Sequence, residues 1–391
     1  MRKLLFILFI VWGFYSCKEG KRILLDGMER IPVVMSTITK DAHSFLEKIE
    51  IIPLETNDSS FIHRIDKCLY CEELNMFAFY TSEQYVFTFN GDGKFIANSI
   101  AKKGGGAHEY RMVLDIQFNP YLNGIDLLNP YGDIYTYSFD FEYKTKRKAN
   151  LEFPIANFLP LDSCRYVFTH PFLYTDQEVI FSDIDKNSLS NSRYDGTILS
   201  GFTADKECFY KIGGEYYFVP EGINYNIYQI DTIHKELVPI IYLDFGDNEI
   251  DESRLPGFGT GKRVENGKER LNINKKFDER LCYIRDSEEI FPVIRLLSNE
   301  FIYLLIKKGS KGTYHYIYNR SKKEGFLIKH DKPHFVFPYF AISDNILFAV
   351  CQPTELFEYV DRNFLSDSEI EKLEKVKEDD NPVILKFFLK R

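Results

Sequence analysis

The residues best suited to chemistry are Gly104-Gly105-Gly106-Ala107-His108-Glu109-Tyr110. Clustered glycines let backbone N–H groups close on an anion, and His108 beside Glu109 supplies the types of a base and its orienting carboxylate. The competing reading is a tight junction between two structural units, with Tyr110 packed between them. Gly257-Phe258-Gly259-Thr260-Gly261-Lys262-Arg263 imitates a phosphate loop but fails its template. Pro256 stands where the first glycine belongs, and Arg263 replaces the magnesium-binding hydroxyl. Asp183-Ile184-Asp185-Lys186-Asn187 begins like a calcium loop, yet Ser188 and Tyr194 occupy the positions of the required glycine and bidentate glutamate. A hairpin turn is expected there. In His330-Asp331-Lys332-Pro333-His334 the proline rules out regular helical presentation of two zinc ligands, and no third ligand lies near in sequence. No GxSxG or HExxH segment occurs. No metal and no cofactor is therefore assigned, and no catalytic residue.

The remaining functional material is aromatic. Tyr216-Tyr217-Phe218, Tyr225, Tyr228 and Tyr314-His315-Tyr316 could stack on sugar rings or anchor a protein from an exposed face. Core packing at alternate strand positions is the plainer account of most of them. His108, Glu109, Tyr110, Tyr216 and Tyr225 form the candidate ligand-contacting set.

These residues must be positioned by strands. Aromatic residues make up 16% of the chain, with 26 Tyr and 35 Phe against one Trp, a composition that fits pleated surfaces. Short runs alternate bulky apolar and polar residues. They include Ile49–Leu54, Met76–Thr81, Tyr85–Asn90, Asp133–Phe139, Glu215–Val219, Ile227–Ile230, Pro239–Phe245, Phe301–Lys307 and Tyr314–Tyr318. Asn90-Gly91-Asp92-Gly93 is a hairpin signal. The runs fall into groups at about 49–110, 111–155, 156–204, 205–255, 290–330 and 334–391. A unit of several short strands repeated at this period predicts an all-β, six-bladed propeller. A polar excursion spans about 247–285, with a short helix expected near Lys276–Arg285. Ser366-Asp367-Ser368-Glu369 predicts a capped C-terminal helix with a narrow stripe of Ile370, Leu373 and Val376. Val383–Leu389 then reads as a closing strand.

The formal net charge is −9, and no basic stripe offers the phosphate neutralisation that nucleic-acid binding needs. The basic run Lys144–Lys148 is expected to be a solvated hairpin. Cys68 and Cys71 have CxxC spacing, but odd separation along a strand sends the thiols to opposite faces. A second CxxC is absent. Cys164, Cys208, Cys282 and Cys351 are isolated, and most of the cysteines read as small core hydrophobes.

Four segments in register resemble one family. They are Ile51-Ile52-Pro53-Leu54-Glu55-Thr56, as a first-blade opening; Phe87–Gly93 followed by Gly104–Tyr110; Asn226-Ile227-Tyr228-Gln229-Ile230 followed by Leu243-Asp244-Phe245-Gly246; and Asp380-Asn381-Pro382-Val383-Ile384. Together they resemble the six-bladed β-propeller lipoproteins of Gram-negative gut anaerobes, relatives of the NHL-repeat propellers. Ala107 and His108 replace the Pro-Gly usual in the second segment. The resemblance implies fold and a lipoprotein anchor. It implies no common reaction, because fold does not carry function.

The start of the chain agrees. Arg2-Lys3, an apolar run from Leu4 to Tyr15, Ser16 and then Cys17 follow the order of a secretory signal ending at a lipidated cysteine. The run is too short to span a bilayer, which takes about 20 residues. The expected organisation is signal 1–17, tether and lead-in 18–40, and propeller 41–391. The expected place is the cell envelope, lipid-anchored in the outer membrane, with the periplasmic or surface face left open. The expected partners are the membrane itself and an envelope protein or a glycan. The leading expectation is a ligand-binding or interaction module. The alternative is an NHL-type lyase or hydrolase, which would need His, Asp or Glu from several blades converging in the central channel. Replacing Cys17 by Ser is expected to release the protein from membranes without unfolding it. Fractionation after a high-salt wash checks this, and continued pelleting contradicts the lipid anchor.

Overall fold

The computed structural model describes residues 27–36, 45–151, 155–170, 177–196, 198, 207–255, 267–330 and 339–391. Cys17, the phosphate-loop imitation at 257–263 and most of the 330–334 segment lie outside them. The alternating runs form strands, and the strands form six antiparallel sheets arranged as the blades of a propeller. Blade 1 runs Ile65–Cys71, Met76–Thr81, Val86–Asn90 and Phe95–Asn98 from axis to rim. Blade 2 is Asp115–Asn119, Gly124–Leu128, Asp133–Tyr137 and Tyr143–Lys148. Blade 3 is Phe158–Pro160, Arg165–Thr169, Glu178–Asp183 and Ser188–Arg193. Blade 4 is Phe209–Ile212, Glu215–Phe218, Asn226–Asp231 and Glu236–Asp244. A short N-terminal strand, Glu29–Pro32, adds to its rim in parallel. Blade 5 is Ile290–Leu297, Phe301–Lys308, Gly312–Asn319 and Glu324–His330.

Blade 6 corrects one expectation. Ile49–Leu54 does not open the first blade. The strand Leu46–Pro53 is the outer strand of the last blade, after Tyr339–Ser343, Ile346–Cys351 and Val383–Leu389. Val383–Leu389 therefore lies between two partners, pairing with Ile346–Cys351 on one side and Leu46–Pro53 on the other. The physical reason is edge removal: an open sheet edge exposes unpaired N–H and C=O groups, and a closed ring has none at its seam.

The seam is locked by Asn381, which is fully buried. Its carboxamide nitrogen donates to the carbonyls of Glu55 at 2.7 Å and Ser60 at 2.9 Å, and its oxygen accepts from the Ile62 N–H at 2.8 Å. Its own N–H donates to the Thr56 hydroxyl at 2.8 Å.

The C-terminal helix, Asp367–Lys375, starts at Ser366 as expected, but only half of the capping box forms. The Ser366 hydroxyl accepts from the Glu369 N–H, while the Glu369 carboxylate reaches away and accepts from the Ile51 N–H at 2.6 Å. Lys372 donates to the Ile51 carbonyl at 3.2 Å. The helix thus covers the outer edge of Leu46–Pro53 at Ile51, a contact worth more than a local cap because that edge is otherwise unpaired. The helix in the excursion runs Gly267–Asp286, longer than the expected Lys276–Arg285. Its inward stripe, Ile273, Phe277, Leu281 and Ile284, begins before Lys276.

Two turns form as read. Asn90 Oδ1 accepts from the N–H groups of Asp92 and Lys94, and the Asp183 carboxylate accepts from the Lys186 N–H. The basic run forms the outer strand of a hairpin at the rim of blade 2 with Lys144, Lys146 and Lys148 exposed, while Lys146 lies over the Tyr135 ring at 4.8 Å and Arg147 over Tyr166 at 5.1 Å. Cys282 is also corrected, from core hydrophobe to an exposed helical position.

Deletion of residues 381–391 is expected to abolish cooperative folding. Asn381→Ala alone leaves the Ser60 carbonyl and the Ile62 N–H unpaired, at about 1–3 kcal/mol each, while the Glu55 carbonyl keeps the Ser60 hydroxyl. Thermal unfolding checks both: an unchanged melt for the deletion, or for the alanine variant, contradicts the locked seam.

Candidate functional site

All six inner strands run toward the same end of the ring before turning into their second strands. Where they end, they enclose a funnel of about 370 Å³. Its wall includes Tyr70, Phe118, Leu159, Phe209, Leu297 and Phe340, one from the inner-strand region of each blade. The mouth carries Glu72, Glu73, Tyr121, Asn299 and Asp344 from the connections after the inner strands, and Lys211 from the inner strand of blade 4. Lys211 of blade 4 pairs with Glu73 of blade 1 at 2.9 Å, straight across the ring, and its ammonium lies 5.4 Å from the Tyr121 ring of blade 2.

The floor is built from charge. Lys67, in the inner strand of blade 1, is buried with its ammonium 2.6 Å from Asp115 and 2.8 Å from Glu207. Asp115 opens the inner strand of blade 2 and also accepts from the Phe158 N–H of blade 3 at 3.1 Å. Glu207 precedes the inner strand of blade 4 and accepts from the Gln117 carboxamide through both oxygens at 3.0 Å. The cluster therefore joins four blades. Deeper along the channel, Asn157 donates to Glu221 at 2.7 Å. Arg295, fully buried, donates to the carbonyls of Pro220 at 2.6 Å and Asn224 at 3.0 Å.

Burial pushes the Asp115 carboxyl up to about 6; Lys67 opposes this and Glu207 adds to it. Burial alone would lower the Lys67 pKa, but the two carboxylates more than offset it and the ammonium is held charged. Burial also raises Glu221, against the pull of Asn157 and Arg295. Acids from several blades do converge, the arrangement an enzyme would need. Here Asp115 and Glu207 share Lys67, and no group of three or more His, Cys, Asp or Glu among the described residues could hold a metal.

The five residues singled out from sequence lie elsewhere, in separate surroundings. Glu109 accepts from the Gly106 N–H at 2.7 Å, so the glycine loop closes on its own carboxylate rather than on an external anion. A Cβ on Gly104 would fall 2.1 Å from that carboxylate and would displace it from Gly106. His108 stacks on Tyr143 with ring centroids 4.2 Å apart, and its carbonyl accepts from the Tyr137 hydroxyl. Tyr110 is fully buried between blades 1 and 2, with its hydroxyl 2.6 Å from that of Ser99 and donating to the Gln84 carbonyl. Tyr225 is buried and links the Ile250 N–H to the Ile290 carbonyl. Tyr216 donates to the Leu161 carbonyl and touches the Tyr121 hydroxyl at the funnel's margin. Cys68 and Cys71 do face opposite ways, Cys68 toward blade 6 and Cys71 toward blade 2. The residues that sequence reasoning missed, Lys67, Asp115 and Glu207, had one signal: a charge inside or beside an apolar strand run.

Comparison places the chain among proteins of this shape. A family described as "Domain of unknown function (DUF4934)" matches residues 29–388. A Bacteroides fragilis structure described as a "putative exported protein" aligns with a TM-score of 0.70 at 19% identity, covering 93% of this chain and 100% of that one. The WD40 repeats of RRP9 align with a TM-score of 0.42 at 8% identity, over 88% of this chain and 98% of that one. No curated protein sequence matches.

Lys67→Met is expected to destabilise the fold by about 3–5 kcal/mol near neutral pH, since it leaves Asp115 and Glu207 buried without their cation. An acid whose pKa is raised in the fold stabilises it less as pH rises from its unfolded value near 3.8 through about 6. Without Lys67 that penalty grows, so the deficit should shrink on acidification from pH 7 to pH 5. Urea unfolding at both pH values checks this; an equal deficit at each contradicts the buried ion cluster.

Proposed function

The chain belongs to the DUF4934 family, and on that premise we propose that it is an envelope binding module whose ligand enters the funnel at the end of the ring axis. The observation that carries this reading is the funnel itself. Six inner strands contribute to one concave site, its volume lies in the range of small-molecule sites, and apolar walls surround a few polar groups. Glu207 and Gln117 of the Lys67 cluster belong to its lining, so the buried charges lie against the funnel. A place outside the cytoplasm is supported by the signal ending at Cys17 and by the export description of the Bacteroides fragilis protein. Lipid attachment at Cys17 and residence in the outer membrane belong to the same proposal.

The lyase or hydrolase alternative rests on Asp115, Glu207 and Glu221 meeting near the axis. Asp115 and Glu207 are both tied to the Lys67 ammonium, which favours binding over proton transfer.

Ala341 lies in the inner strand of blade 6 and lines the funnel. Ala341→Trp is expected to fill it. The mature chain is screened by calorimetry against envelope oligosaccharides and peptides. A ligand that binds the native protein should bind the tryptophan variant at least about tenfold more weakly, with a cooperative melt retained. Binding indifferent to the tryptophan would place the site elsewhere.

A further inference from the structure

We propose that the funnel selects a small organic cation, a protonated amine carried on an apolar body; this rests on the funnel being the binding site. The walls are aromatic and the charges at the mouth and floor are unbalanced. Glu72, Glu73, Glu207 and Asp344 line the funnel against a single cation, Lys211. That cation is already engaged, at 2.9 Å from Glu73. Glu207 is engaged below by Lys67, which also serves Asp115, so two carboxylates share one ammonium at the floor. Asp344 has a guanidinium 4.0 Å away, on Arg391. Among the described residues no cation pairs with Glu72.

The sum is a pocket with excess negative charge. An anionic ligand would meet uncompensated carboxylates, and its natural handle, Lys211, would first have to leave Glu73. A cation meets the opposite situation. Its charge is attracted by Glu72 and the floor, and the Tyr70, Tyr121 and Phe340 rings in the lining supply apolar surface for the hydrocarbon beside it. Held there, the cation restores the balance that the protein's own lysines leave incomplete.

The test uses three probes that differ in charge on one phenyl body: phenethylammonium, 2-phenylethanol and 3-phenylpropionate. Binding to the mature chain is measured by calorimetry or ligand-observed NMR. The ammonium should bind at least about fivefold more tightly than the alcohol, and the carboxylate least. Glu72→Gln, an isosteric change at an exposed position, should weaken the ammonium about fivefold. Lys211→Gln should strengthen it. A capped Gly-Lys-Gly peptide identifies the source of the amine. If it binds more tightly than phenethylammonium, the amine belongs to a protein's lysine; if more weakly, to a free molecule. Equal binding of all three probes, tighter binding of the carboxylate, or weaker ammonium binding in Lys211→Gln overturns the cation. If such binding is still lost in Ala341→Trp, the funnel stands as the site and only the ligand class falls. If no probe binds at millimolar concentration, or binding survives Ala341→Trp, the funnel reading falls with it.

Discussion

A ring of blades depends on its seam. Within each blade the four strands are joined by short turns and form from local sequence. The last blade cannot, because its outer strand comes from the other end of the domain. Leu46–Pro53 pairs with Val383–Leu389 over a register running from Leu46 opposite Leu389 to Pro53 opposite Val383. Residues more than 300 positions apart thus complete one sheet, and the loop-closure entropy of bringing them together must be offset by what they bury. Two devices help. Asn381 satisfies the backbone of the loop after Leu46–Pro53 from inside, and the C-terminal helix satisfies the exposed edge of that strand from outside. Every other blade inherits its neighbours' positions from this closure.

The axis has a second constraint. Inner strands from opposite blades approach closely, and their side chains meet in a volume with little water. A cluster of charge is costly there unless each member is paired. Lys67 meets that condition for Asp115 and Glu207, joining blades 1, 2 and 4 at its ammonium, and Asp115 brings in blade 3 through the Phe158 N–H. The cluster borders the funnel, to whose lining it gives Glu207 and Gln117. On one side the inner strands end in turns and the space widens into the funnel; on the other, Glu221 and Arg295 continue the polar packing. The pocket is therefore a consequence of how the ring is filled.

Much of the fold was legible in the sequence because strands and turns are local. Met76–Thr81 was read with the bounds it has, and the Asn90–Gly93 and Asp183–Asn187 turns follow from side chains bonding to backbone two to four residues away. The assignment of Ile49–Leu54 to the first blade failed because a strand's sequence does not reveal its partner. The Glu369 cap failed likewise: from Ser366 and Glu369 alone the local hydrogen bond is the only one visible, and Ile51 is the better partner once the ring is closed. The glycine loop at 104–106 was read with its competing account alongside, and Glu109 folding onto Gly106 accords with the structural one.

The sequence by itself determined the class of fold, the number of repeating units, the turns between neighbouring strands and the polar start of the last helix. All of these depend on residues within a few positions of one another, where periodicity and backbone preference act. Only the tertiary structure decided where a site could be. Lys67, Asp115 and Glu207 are separated by 48 and 92 positions, and Glu73 and Lys211 by 138. No pattern of spacing links such residues. They meet because each stands on or beside an inner strand, and circular closure brings every inner strand to one axis.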